Sequence, residues 1–183
     1  VGKENAEYIT KHQLTLEEYL NELNELTDEQ KSFCQGIGKE FIKLLENTNM
    51  TKVYKMPVLM AFYNHGDIRM EVTETELLAS WKEFFSTGTN WKDLDTGITY
   101  EQYCKTSDKD HIKRIIKMPV NFLVKSGKGF FVKKEGSALA LRDEMKGIIK
   151  NPVLAEQLKD VIEYRTMDYY QRRYKEQMTA FLQ

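Results

Sequence analysis

A chain of 183 residues, 41% hydrophobic and 30% charged, has enough apolar material for one compact domain or two small ones. No apolar stretch approaches the ~20 residues a bilayer requires and no signal-peptide pattern opens the chain, while Cys34 and Cys104 lie far apart and outside any CxxC or Cys/His spacing; no membrane role is expected, and a reducing cytoplasm is the expected compartment. The net charge of −1 hides a division: residues 1–104 carry 10 Lys/Arg against 18 Asp/Glu, and residues 105–183 carry 17 against 10, so the second half is the one suited to a polyanion or an acidic partner. The plainer alternative is a solvated surface whose halves attract each other. A start at Val1 rather than methionine suggests a processed or excised piece of something longer.

Residues 1–13 are polar and aperiodic. Thr15-Leu16-Glu17-Glu18 and Thr27-Asp28-Glu29-Gln30 both have the capping-box spacing, in which the hydroxyl takes an orphan amide and the later side chain reaches back. Leu16, Tyr19, Leu20 and Leu23 follow the first at helical spacing; Phe33, Ile37, Phe41, Leu44 and Leu45 follow the second, predicting a helical hairpin over residues 1–50.

The tetrapeptide Lys55-Met56-Pro57-Val58 returns as Lys117-Met118-Pro119-Val120, and each copy leads to a glycine turn and a strand-like run. In the first copy, Pro57 suits the first turn of a short helix, Gly66 ends it, and Ile68, Met70 and Val72 alternate with Arg69 and Glu71 as a half-buried strand. Thr73-Glu74-Thr75-Glu76 then caps a helix with Leu77, Leu78, Trp81, Phe84 and Phe85 inward. Residues 86–106 read as a linker with a short helix near 99–104.

Ser107 caps a helix carrying Ile112, Ile115 and Ile116, and Pro119 predicts a boundary before a second short helix with Val120, Phe122, Leu123 and Val124. After the Gly127-Lys128-Gly129 turn, Phe130–Val132 and Ala138–Leu141 are predicted to pair as a hairpin. Helix, helix, hairpin is the order of a winged helix-turn-helix. Pro152 suits the start of a long helix running through Leu154, Leu158, Val161 and Ile162 to Tyr164, Tyr169, Tyr170, Tyr174 and Met178. The expected fold is therefore α+β, mostly α: a helical hairpin (1–50), an acidic winged-helix-like unit (51–104), a basic one (105–150) and a C-terminal helix (151–183).

No catalytic residue, cofactor or metal ligand is assigned. Gly127-Lys128-Gly129 lacks the Ser/Thr of a Walker A loop, and no DExD/H box accompanies it. His111-Ile112-Lys113 is similar to the HxK opening of phospholipase-D-type phosphodiesterases, but the required aspartate position is Met118 and there is no second copy. His12, His65 and His111 are dispersed without HExxH spacing, and His65 reads as an ordinary turn residue. The many acids leave a metal-dependent nuclease as an alternative that needs spatial proximity to assess.

The basic positions suggest a surface for phosphates. Lys109, Lys113, Arg114 and Lys117 lie on or near one helix, Lys125 and Lys128 at the following turn, and Lys133 and Lys134 at the wing tip. Arg172, Arg173, Tyr170 and Tyr174 on the last helix suit base stacking or partner contact. Tyrosines packed onto the domain, with arginines paired to Glu163 and Asp168, are the competing reading.

Three stretches, Tyr54 to Tyr63, His111 to Phe131 and Asp160 to Tyr174, resemble the C-terminal region of large bacterial DEAD/DEAH-box helicases associated with restriction or phage defence. The resemblance implies an accessory, non-catalytic DNA-binding domain with its ATP-binding motor upstream, so DNA and that motor are the expected partners. A protein-interaction or scaffolding module docking onto the motor or another subunit is the alternative.

Overall fold

The computed structural model describes residues 36–181, with side chains described as far as Lys175. The chain divides into two compact units, Val1–Glu40 and Phe41–Gln183. Of the first, residues 36–40 are described, and they enter helix α1 (Ile37–Asn47). The rest of the expected N-terminal hairpin, both its capping boxes and the side chain of Met178 lie outside the described residues.

The second unit is mostly helical, with two small antiparallel sheets. Helix α2 (Lys55–Met60) carries Pro57 in its first turn, where a missing N–H costs nothing. Strands β1 (Tyr63–Asn64) and β2 (Asp67–Ile68) then pair through a two-residue turn. His65 and Gly66 both have positive φ (47° and 94°), the conformation of a type I′ hairpin, so His65 is an exposed turn residue. The strand expected from Ile68 to Val72 is broken: β2 stops at Ile68, and β3 (Glu71–Val72) belongs to the other sheet. Arg69 occupies the break, donating to the carbonyls of Ala61 (2.9 Å) and Tyr63 (3.0 Å).

Helix α3 (Glu74–Ser86) begins with the expected capping box: the Glu76 amide donates to Thr73 Oγ1 (3.2 Å), and the Thr73 amide donates to the Glu76 carboxylate (2.8 Å). It buries Leu77, Trp81 and Phe85, and Tyr54 packs against the last two at ring separations of 5.3 and 6.0 Å.

The span 86–106, read as a linker with a short helix near 99–104, is mostly exposed and is tied to the core at one point, Asp93 and Leu94. A 3₁₀ turn (Asn90–Asp93) buries Asp93 and Leu94, whose carbonyls are taken up by Lys52, Tyr54 and Arg114, and α4 (Tyr100–Lys105) starts on a Thr99/Gln102 capping box. Polar composition marked a turn-rich path here, but its backbone acceptors are satisfied by side chains from distant sequence.

Helix α5 (Asp108–Ile115), capped by Ser107, does not end at Pro119. It passes through one π-turn (Ile116–Val120) into α6 (Asn121–Ser126), making a continuous rod. Proline lacks the donor for a regular turn and its ring crowds the carbonyl four residues back; widening the turn accommodates both. Asn121 Nδ2 donates to the Lys117 carbonyl at 3.3 Å.

Gly127–Gly129 leads into β4 (Phe131–Val132), which pairs with β5 (Leu139–Leu141) as the expected hairpin. The three-stranded sheet has the order β3-β5-β4, with Val72 opposite Leu139 and Phe131 opposite Leu141. The segments 51–104 and 105–150 thus share this sheet: its third strand comes from the first. After a 3₁₀ turn (Asp143–Gly147), α7 (Pro152–Phe181) starts where Pro152 suggests, with Asn151 Oδ1 accepting from Val153 N (2.9 Å). It packs on α2 and the β1–β2 hairpin through Leu154, Ala155, Leu158 and Ile162.

The two Lys-Met-Pro-Val copies pack against each other, α2 on the π-turn. Their shared environment ends there. The first starts a helix, whereas the second sits inside one. Lys55 is buried, its Nζ donating to Thr48 Oγ1 (2.9 Å) and the Asn49 carbonyl (2.7 Å), and burial lowers its pKa; Lys117 faces solvent.

Candidate nucleic-acid interface

The rod 108–126 carries its first-turn acids Asp108 and Asp110 at the positive end of α5 and Lys113 and Arg114 near that helix's last turn, an arrangement the helix dipole favours. Lys109, Lys113 and Lys117 follow at four-residue intervals and are all exposed; Lys125 is exposed one residue before the rod ends. Lys113 and Lys117 line a groove of about 640 Å³ together with Lys105, which the sequence reading did not single out. Asp95 and Asp110 line the same groove, so its potential is mixed.

Arg114 lines the same groove but is only part-exposed, and its guanidinium is engaged by the protein itself. Its guanidinium donates to the Leu94 carbonyl (2.5 Å) and to the Asp95 carboxylate (2.6 Å), with the Tyr54 hydroxyl at 3.4 Å. It fastens α5 to the 3₁₀ segment. Helical spacing alone cannot separate an arginine turned inward from the lysines beside it.

The π-turn also changes which apolar residues face water. In an uninterrupted α-helix, positions 111, 115, 118 and 122 share a face. Here the buried set is His111, Ile115, Pro119, Val120 and Leu123, while Met118 (37%) and Phe122 (53%) are exposed. One extra residue in the turn rotates the rest of the helix, so Phe122, expected among the apolar core residues, emerges among the lysines. The signal for it was Pro119, a proline inside a helical pattern.

At the end of the rod Lys128 has φ 47° and Gly129 φ 79°, a left-handed pair that glycine suits and lysine does not. In the wing loop Lys133 is exposed, and Lys134 pairs with Glu71 of β3 at 2.9 Å, which raises the lysine pKa.

The C-terminal helix uses its arginines internally. Arg172 pairs with Asp168 (3.0 Å). Arg173 pairs with the buried Asp93 (2.5 Å), donates to the Tyr169 hydroxyl (2.7 Å) and lies over its ring, and Arg165 donates to the carbonyls of Glu46 and Thr48. Tyr170 is half-buried, and burial, followed by the charge of Asp93, raises its pKa far above the ordinary phenol value. Of the helix's tyrosines, Tyr169 is packed and Tyr170 half-buried, whereas Tyr164 and Tyr174 are exposed, and Asp93 is the partner of Arg173 where Glu163 was expected to serve the arginines.

His111 is buried, and its Nδ1 accepts from Trp81 Nε1 at 3.2 Å. Among the described residues no group of three His, Cys, Asp or Glu side chains is placed to hold a metal ion, and no helix is long and apolar enough to cross a membrane. No family model, curated protein or solved structure matches the chain.

Proposed function

We propose that this chain is a non-catalytic DNA-binding module whose contact surface is the rod 108–126 with the β4–β5 wing. The observation that carries the reading is the run of exposed Lys109, Lys113 and Lys117 on a helix that leads directly into a sheet-anchored hairpin bearing Lys133 and Lys134. Lysines at these places meet phosphates, and exposed Phe122 between them offers an apolar contact to a thymine methyl or a sugar. Lys128 supports the same reading: a lysine kept in a left-handed conformation trades local stability for a positive charge at the end of the rod. The helicase-like stretches extend the proposal: the module serves a larger cytoplasmic helicase or restriction-type enzyme, gripping DNA for a motor elsewhere in that protein.

The test is anisotropy of a labelled short duplex at low salt, with wild type and the triple variant Lys113→Glu, Lys133→Glu, Lys134→Glu. Binding should be lost in the variant while its thermal unfolding stays cooperative, and the wild-type affinity should fall steeply with salt. Unchanged binding by a folded triple variant sinks the proposal.

A further inference from the structure

We infer that the cleft between α2, α3 and α7 is a docking site for a helix of a protein partner that presents apolar side chains flanked by lysine or arginine. The cleft has a volume of about 470 Å³, and its apolar surface comes from Met56, Pro57, Met60, Phe84, Ile162 and Met167. Glu83 of α3 and Glu163 of α7 stand on its rim, and among the described residues no basic side chain lines it. Both glutamates are exposed, and neither carboxylate meets a cation within ion-pair distance among the described residues. Elsewhere on the surface Asp67, Glu71, Glu76, Asp95, Asp108 and Asp168 each hold a lysine or arginine. Among the described residues the exposed Glu74, Glu135, Glu144 and Asp160 stand without an ion pair as Glu83 and Glu163 do, so it is the position of these two beside the cleft that sets its charge. Two unpaired acids beside an apolar cleft therefore select a positively flanked ligand and repel a phosphate backbone.

The length of the apolar strip points to a helix rather than a single side chain. Thr166 and Met167 belong both to this cleft and to a second hollow lined by Tyr170, Tyr174 and, at its far end, Lys175, so the acidic rim is confined to the first cleft. Met167 (60% exposed) and Tyr174 (64%) are seven residues apart on α7, about 10 Å along its axis, which matches anchors two turns apart on a partner helix. A second copy of the chain docking face to face by this strip would set Glu83 and Glu163 near their own equivalents, an unfavourable pairing.

The probe is a labelled amphipathic peptide with a leucine stripe and lysine flanks, compared with its glutamate-flanked counterpart, against the full chain. The lysine peptide should bind at least about tenfold more tightly. Glu83→Lys with Glu163→Lys should reverse that order, and Met167→Asn, a surface change that leaves the charge alone, should weaken the lysine peptide by about fivefold or more. The lysine variants of the rod and wing should leave peptide binding intact, which separates this site from the DNA reading. Three results overturn the inference: no binding of the lysine peptide by folded wild type; binding that follows charge but ignores Met167→Asn; or a dimer in sedimentation velocity that Met167→Asn dissolves, which would assign the cleft to a second copy.

Discussion

The indole N–H of Trp81 donates to Nδ1 of His111 across 3.2 Å, and both side chains are buried, so α3 and α5 are joined by a bond that only an unprotonated Nδ1 can accept. Burial first, then the nearby Lys82 and Arg114, lowers the imidazole pKa below its ordinary value. The unfolded chain therefore takes up a proton near pH 6.5 that the folded chain resists. Stability from this site is full above that pH and is lost as pH falls through it toward the lower folded value. Urea unfolding at about pH 7.5 and about pH 5.5 should show a larger loss for wild type than for His111→Gln. Equal losses would remove His111 as the cause.

Gly127 should not tolerate a side chain. A Cβ there would lie 2.4 Å from the Leu123 carbonyl oxygen and 2.7 Å from Phe131 Cδ2. Backbone and a buried ring must both shift, so Gly127→Ala should cost about 1–3 kcal/mol in denaturant unfolding.

Lys128 predicts a split between stability and binding. Lys128→Gly relieves the left-handed strain and should stabilise the fold by about 1 kcal/mol. The same change should weaken duplex binding and reduce the log–log salt slope by about 0.9, the signature of one phosphate contact. A change in stability with no change in slope would take Lys128 out of the interface.

Lys113 and Arg114 are neighbours in sequence with opposite expected phenotypes. Arg114→Ala leaves the Leu94 carbonyl and Asp95 without their donor and should cost about 1–3 kcal/mol of stability. Lys113→Ala should change stability by less than about 0.5 kcal/mol while weakening DNA binding. Thermal unfolding and anisotropy on both variants check the pair.

Arg173 holds the distal part of α7 to the core. Its partner Asp93 has a side chain only 6% exposed, whereas Arg173 itself is 36% exposed, which screens part of the attraction. Arg173→Ala leaves Asp93 as a buried, uncompensated charge and should cost about 2 kcal/mol. Hydrogen exchange should accelerate selectively in residues 165–175, the part of α7 that loses its anchor.

The sequence by itself determined the local elements. The Thr73/Glu76 box, the Ser107 cap, Pro57 in a first helical turn, Pro152 at the start of the long helix and the hairpin of Phe130–Val132 with Ala138–Leu141 were legible because each depends on residues close together in the chain. Helical spacing likewise exposed Lys109, Lys113 and Lys117 as candidates. The tertiary structure alone decided the rest, because burial and partner choice depend on residues brought together from distant sequence. It set β3 beside β5, buried Asp93 under Arg173, turned Arg114 inward and paired Lys134 with Glu71. It also turned Pro119 from a helix boundary into a π-turn, and that one extra residue rotated Phe122 out of the core and into the basic face.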